Sequence, residues 1–362
     1  MEVAVLGGGH GCYAAAADLS EQGHTVRFWR RDAAGLQAVI DSGSITLVDF
    51  KGEREISIAR PTTSLADAVD GAELIVIPLP CFSHEALSVD LAPHLRNGQV
   101  VYLPPGTFGS YIFAKAMRDA GNDADVSFAE TGTLPYLARK HGPCQVVVSG
   151  YATRLPTGVL PAKNTEYALD VLRQAYPVEY CKDALSGALM NAGPIIHPPL
   201  IMMNAGPLEH FDAWDIHNEG TQPAIRRVTD HLDGERMAVR EALGYGAPHF
   251  PLKDHYNKAD EGDEWMYGRA AHEKLTDSGD WREDIDLKTH RYMLEDTRLG
   301  LSLIVSVGRW AGVATPVAEG LLNIASAITE RDLYSEGRTL ENLGLAELSR
   351  EQMSILLQEG PQ

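Results

Sequence analysis

Val3-Ala4-Val5-Leu6-Gly7-Gly8-Gly9-His10-Gly11-Cys12 decides the fold of this chain. Four apolar residues read as a short buried strand, and the glycines that follow read as a tight turn. The Ala-rich stretch from Cys12 to Leu19 then reads as a helix. Strand, glycine turn and helix start, in that order, form a dinucleotide-binding fingerprint, because backbone N–H groups at a helix start bind a diphosphate. Gly7 makes the turn, Gly9 lets the backbone approach the diphosphate, and Gly11 adds another position without a Cβ. The usual third glycine is replaced by Cys12, which is small enough for close helix–strand packing. A structural small residue explains Cys12 better than a reactive thiol does.

The alternation continues outward from there. Thr25–Trp29 reads as a second strand and Ala33–Ile40 as a second helix. Ser44–Phe50 and Glu55–Ala59 flank Lys51-Gly52-Glu53 as a β-hairpin. Glu73–Ile77, Gln99–Leu103, Val126–Phe128 and Gln145–Ser149 read as further strands, with helices at His84–Leu91 and Tyr111–Ala120. Apolar strands alternating with helices indicate an α/β, Rossmann-type, doubly wound and mostly parallel sheet. Past Tyr180 the pattern becomes all-helical, with helices expected over Asp183–Ala192, Pro223–Leu243, Arg291–Trp310 and Pro316–Ala327. The expected organisation is a dinucleotide-binding domain over 1–182 and a helical substrate or catalytic domain over 183–362.

The chain has 362 residues and a formal net charge of −19. That charge argues against non-specific affinity for nucleic acid or an anionic membrane. No apolar run reaches the ~18 residues of a membrane span. Nothing at the N-terminus reads as a signal peptide, and four scattered cysteines without CxxC spacing suit a reduced, cytoplasmic protein.

An acidic protein with anionic ligands needs cations placed locally. The second strand runs into Arg30-Arg31-Asp32, where NAD-binding folds usually carry an acid for the ribose 2′-OH. Guanidinium groups suit a 2′-phosphate, so NADP is favoured, and Asp32 keeps NAD as the alternative. Pro78 and Pro105 follow two further strands and are expected to line the nicotinamide half, since ligands lie beyond the carboxyl ends of such strands. His84 reads as a helix-start residue before a catalytic one, and Glu130-Thr131 sits at an equivalent strand end.

In the helical half, Asn191 to Pro199 ends a helix with His197 braced by prolines, and Arg291 and Asp296 approach one cleft at spacing five. A His197–Asp296 pair suits proton transfer near neutral pH, and Arg291 suits bidentate capture of a carboxylate. With 13 histidines and 50 acidic residues, chance pairings are common, and the residues alone leave a structural histidine open. His210, Asp212, His217 and His231 lack metal-ligand spacing, so no metal is expected. Ile201-Met202-Met203 and Trp214 read as core before substrate pocket. Asp254–Asp286 carries 11 acidic against 4 basic residues and reads as a solvated loop, with a lid as the sharper alternative.

Taken together, these motifs resemble the opine dehydrogenase family (octopine and nopaline dehydrogenases) over nearly the whole chain. The resemblance rests on Val5 to Gly11, Asn191 through His197-Pro198, Arg291-Tyr292…Glu295-Asp296, Thr315-Pro316, and Glu336 to Gly344. It implies reductive condensation of an amino acid's amine with an α-keto acid, through an imine reduced by NAD(P)H, in a cleft between two domains. It also implies that His197 is the catalytic histidine, Asp296 its carboxylate partner and Arg291 the substrate-carboxylate arginine. The sequence departs from the family at Cys12, at Arg30 and at Gly193, where some members carry a second asparagine. Two rivals remain: a hydroxy-acid or sugar-phosphate dehydrogenase, and a non-catalytic NAD(P)-sensing protein. Many enzymes of the first kind use a lysine beside the asparagine; here Met190 precedes Asn191 and no lysine lies between Asp183 and Leu252. The choice of amino acid and keto acid, and whether the chain forms a homodimer, stay open.

Overall fold

The opening strand β1 (Glu2–Leu6) is covered on both faces: Val3 to Leu6 are fully buried. It lies inside an eight-stranded sheet with β2 (Thr25–Trp29), β5 (Arg60–Thr62), β6 (Leu74–Val76), β7 (Val100–Leu103), β8 (Ser127–Thr131), β11 (Leu155–Leu160) and β12 (Val178–Tyr180). The order is β12-β11-β8-β7-β6-β1-β2-β5, parallel from β8 to β5, with β11 turning antiparallel against β8. Continuous apolar runs in β1, β6 and β7, instead of an alternating pattern, follow from burial on both faces. The computed structural model describes residues 1–256, 265–268, 271–277 and 281–362. They form two units, Met1–Ala188 with Ser354–Gln362, and Leu189–Met353.

A second, four-stranded sheet in the first unit was not anticipated. The expected hairpin is present as β3 (Ser44–Asp49) and β4 (Gly52–Ser57). A later hairpin, β9 (Tyr136–His141) and β10 (Gln145–Tyr151), joins it through parallel pairing of β10 with β3. The helix α1 (His10–Glu21) packs on β1 and β2 of the large sheet and also on β3, β4, β9 and β10 of the small one. That double contact explains its composition. Gly11 to Ala17 and Leu19 are all buried, and a helix covered on most sides has little use for a polar face.

The remaining helices of this unit are α2 (Ala33–Ser42), α3 (Leu65–Val69), α4 (His84–Leu91), α5 (Gly109–Asp119), α6 (Thr165–Leu172) and α7 (Ala184–Ala188). α7 explains why the units divide at 188/189 and not at 182/183. It packs on β8 and β11, where a Cβ on Gly187 would come within 2.6 Å of the Glu130 carbonyl. The helix expected over Asp183–Ala192 therefore stops at Ala188, and the next begins at Gly193.

The second unit is helical: α8 (Gly193–Met203), α9 (Ala205–His210), α10 (Pro223–Ala242), α11 (Lys253–Tyr256), α12 (Ala271–Asp277), a π-helical segment Tyr292–Leu301, α13 (Ser302–Ala311) and α14 (Pro316–Thr329). A final helix, α15, spans Arg350–Glu359. The single helix expected over Arg291–Trp310 is thus a π-helical stretch running into an α-helix. Its wider i→i+5 turn is marked by Thr297 Oγ1 donating to the Tyr292 carbonyl at 2.8 Å. α8 packs against this π-helix, against α10 and against α14. Much of the acidic stretch considered as a lid, Asp254–Asp286, lies outside the described residues.

Candidate active site

The glycine turn in the first unit has the geometry its sequence requires. Gly7 takes φ +123, and a Cβ there would lie 2.7 Å from Cys12 Sγ. Gly9 faces outward, where a Cβ would meet nothing within 4 Å. Gly11 sits 2.7 Å, by the same measure, from Leu134 and 3.3 Å from Pro78. Cys12 is fully buried, its Sγ 3.6 Å from the carbonyls of Leu6 and Pro78, which ties the helix start to two strand ends. Burial pushes its thiol up to about 12, so a nucleophilic role is ruled out by its own surroundings. These residues form a cradle that fits a dinucleotide diphosphate: a close-packed floor, an open backbone face at Gly8-Gly9, and N–H groups at the start of a 12-residue helix.

Arg30 lies across this turn. Its Nη1 donates to the Gly35 carbonyl at 2.9 Å and its Nη2 reaches Asp32 at 3.2 Å. A Cβ on Gly8 would come within 2.6 Å of its Nε. Asp32 is engaged as the N-cap of α2, accepting the Gly35 N–H at 3.1 Å. Arg31, next to it, is exposed.

Three other positions named from sequence have structural work. His84 is fully buried at the start of α4, its ring edge-on to Phe113 at 5.6 Å. Glu130 is fully buried and serves the start of α5, accepting the Phe108 N–H at 2.7 Å, the Ser110 N–H at 3.3 Å and the Ser110 hydroxyl. Its carboxyl oxygens hold a turn in which Thr107 and Phe108 take φ +51 and +62, a costly conformation for residues with a side chain. This turn directly follows Pro105. Thr131 donates to the Pro156 carbonyl at 2.8 Å.

In the second unit, His197 lies within α8 and not at a helix end. Pro198 and Pro199 follow it inside the same helix, where neither supplies a backbone donor. Its Nδ1 is 2.7 Å from Asp296 Oδ2, although 99 residues separate the two. The close approach of the two helices depends on glycines. A Cβ on Gly193 would run into Asp296 Oδ1, and one on Gly300 into Pro194. Gly193 is therefore the residue that makes room for the carboxylate.

Burial raises the Asp296 carboxyl from its ordinary 3.8 to about 7, with the neighbouring Arg291 charge pulling the other way. The carboxyl and the imidazole in contact with it form a coupled pair. This contact engages Nδ1 of the ring with the carboxylate.

Tyr292 joins these groups and was named from sequence only as part of a motif. Its ring stacks on His197 at 3.7 Å, and the Arg291 guanidinium lies 4.8 Å from the ring centre. Its hydroxyl donates to Glu283 at 2.7 Å and accepts from Arg291 Nη2 at 3.4 Å. Burial works against the Arg291 charge, but Tyr292, Glu283, Glu295 and Asp296 more than offset it and keep the guanidinium protonated. His217 contributes a ring 5.9 Å from His197, with Trp281 behind it at 6.1 Å. Arg291 caps the π-helix that carries Asp296, and its charge acts on that carboxyl. Among the described residues no group of three or more His, Cys, Asp or Glu is arranged to hold a metal ion. Ile201 and Met202 are core, Met203 is largely exposed, and the Trp214 indole donates to Asn204 at 2.9 Å.

Comparison with known proteins bears on this arrangement. Residues 180–329 match the model of the NAD/NADP octopine/nopaline dehydrogenase alpha-helical domain. An opine dehydrogenase from Arthrobacter sp. (strain 1C) is 29% identical over 354 residues, covering 96% of each chain. Among solved structures, an octopine dehydrogenase in complex with NADH and agmatine superposes with a TM-score of 0.73 at 20% identity, covering 99% of this chain and 98% of that one. The NADP+-bound structure of a yersinopine dehydrogenase gives 0.64 at 14% identity, covering 99% and 98%. The last two likenesses speak to the fold.

Proposed function

We propose, from the premise that this chain belongs to the octopine/nopaline dehydrogenase family, that it is an NAD(P)H-dependent opine dehydrogenase. The reaction joins the amine of an amino acid to the carbonyl of an α-keto acid, releases water to give an imine, and reduces that imine to a secondary amine. The observation that carries this reading is the His197–Asp296 pair at 2.7 Å, with Arg291 capping the π-helix that carries Asp296.

The cradle of Gly7, Gly9, Gly11 and Cys12, with Pro78 and Pro105 at neighbouring strand ends, would hold the cofactor. When bound, NAD(P)H supplies the hydride. Arg30 and Arg31 favour the 2′-phosphate of NADP, because Asp32 is already committed to capping α2. Arg291 binds the keto-acid carboxylate through paired N–H donors. His197, with its ring held by Tyr292 and its Nδ1 by Asp296, handles the protons of carbinolamine collapse at Nε2. In the imidazolium form it also donates a hydrogen bond to the keto oxygen as that oxygen gathers charge. Arg291 holds the carbonyl carbon in place for attack, a proximity effect. Free thiols at all four cysteines suit the reduced cytoplasm, which is where we place the protein. No described helix is long and apolar enough to cross a membrane.

The deciding experiment follows NADPH and NADH oxidation with pyruvate and other keto acids, with and without each amino acid. Oxidation that requires both substrates, with a secondary amine as product, is expected. Oxidation by a keto acid alone would make the chain a hydroxy-acid dehydrogenase.

A further inference from the structure

Lys140 has no part in the reading above, yet it stands beside the glycine turn. It is on β9, in the small sheet, more than 100 residues from the turn in sequence. Its backbone N–H donates to His10 Nδ1 at 2.7 Å, and His10 is the first residue of α1. That bond fixes the register between hairpin and helix start, and in the neutral His10 ring it leaves the proton on Nε2. The Lys140 ammonium lies 4.1 Å from the centre of the Tyr13 ring, one turn into α1. The Tyr13 hydroxyl in turn donates to the Gly35 carbonyl at 3.3 Å, the oxygen that Arg30 Nη1 also engages. Lys140, Tyr13 and Arg30 therefore form one connected group at the end of β2.

The charges in this group are unusual for the protein. The chain as a whole is −19, but Lys140 has no ion pair among the described residues, and the charge that acts on it through the shared Tyr13–Gly35 contact is the Arg30 guanidinium. Burial, and after it the Arg30 guanidinium, pull the ammonium below its ordinary range. Arg30 has a single carboxylate partner, Asp32, which is mostly exposed and also caps α2. Two cations whose only acid is the solvent-exposed partner of Arg30 are held at a cost, which an anion bound between them would offset.

We propose that Lys140 and Arg30 together form the site for the 2′-phosphate of NADPH, with Lys140 as a specificity-determining residue supplied by the small sheet. The inference rests on the opine dehydrogenase reading only in taking the cofactor to be a nicotinamide dinucleotide. It assigns the small sheet a use: the β9–β10 hairpin brings a cation to a position that the βαβ unit itself does not fill. A 2′-phosphate between a planar guanidinium and a point-charge ammonium receives directional bonds from one and bulk charge from the other.

The test measures dissociation constants of NADP+ and NAD+, and of 2′-AMP and 5′-AMP as fragments, for the wild-type protein, Lys140→Met and Arg30→Ala. Lys140→Met keeps the backbone N–H that contacts His10 and keeps an aliphatic chain over Tyr13, so the hairpin stays docked. NADP+ and 2′-AMP are expected to bind it about 10-fold more weakly, with NAD+ and 5′-AMP within about twofold of wild type. The NADP+ loss should shrink at high salt, as a screened phosphate contact requires. Equal weakening of both dinucleotides would place Lys140 on the diphosphate and overturn the proposal. If Arg30→Ala loses NADP+ selectivity and Lys140→Met does not, the Lys140 assignment falls while the cofactor reading stands. If neither dinucleotide binds the wild-type protein, the cofactor reading itself falls.

Discussion

Asp296→Asn offers a quantitative test of the proposed His197–Asp296 pair. In the folded chain burial lifts the Asp296 carboxyl from 3.8 to about 7, so the native state holds that proton more tightly than the unfolded state does. Stability carried by the protonated acid is complete below pH ~4, declines as pH rises, and is lost above pH ~7. At ~1.4 kcal/mol per pH unit, the gap amounts to about 4 kcal/mol. Asparagine keeps the shape and a hydrogen-bonding oxygen but never ionises. The stability difference between variant and wild type should therefore grow in the variant's favour by about 4 kcal/mol between pH 4 and pH 8. Taking the difference cancels the titrating groups that do not contact Asp296. Urea unfolding followed by tryptophan fluorescence is the assay, since four of the five tryptophans lie in the second unit (Trp214, Trp265, Trp281 and Trp310). Protein concentration must be low near the isoelectric point of about 5.0. Turnover should fall by ~10²–10⁴, the usual range for lost acid–base catalysis. A difference that stays flat across this range would refute the reasoning, because it would mean that Asp296 is ionised throughout, held by a permanently charged His197.

Two further substitutions probe the same centre. Gly193→Ala puts a methyl group where Asp296 Oδ1 lies, and should cut kcat about 100-fold or more while NADPH affinity, measured by fluorescence, stays within twofold. Wild-type turnover in this variant would show that the carboxylate has room to shift without consequence. Tyr292→Phe keeps the stack on His197 but removes the hydroxyl that Arg291 and Glu283 share. It should raise KM for the keto acid about 10-fold and change kcat less than threefold; a loss confined to kcat would mean that Tyr292 serves the proton chemistry instead.

Much of the first unit was legible because its signals are local. Fully buried parallel strands need unbroken apolar runs, and a turn under a diphosphate needs glycines, so both are written in consecutive residues. The small sheet escaped because it is closed by the pairing of β3 with β10, about 100 residues apart in the chain. The ends of α7 and α8 escaped for a related reason: Ala184–Ala188 is helical in composition, but its packing on β8 and β11 assigns it to the first unit. His197 was visible as a residue but misplaced to a helix end, since two prolines in succession read as a stop and the helix tolerates them.

The sequence by itself determined the layered α/β unit, the glycine turn, the helical second unit and the identities of His197, Arg291 and Asp296 as candidates. Those features follow from periodicity and residue chemistry, which act over a few neighbours. Only the tertiary structure decided that His197 and Asp296 sit 2.7 Å apart, that Gly193 makes the space for them, and that Tyr292 ties them to Arg291. It likewise decided that Asp32 caps α2 and which lysine approaches the turn. These are distances between residues far apart in the chain, set by how helices and sheets pack, and no local pattern records them.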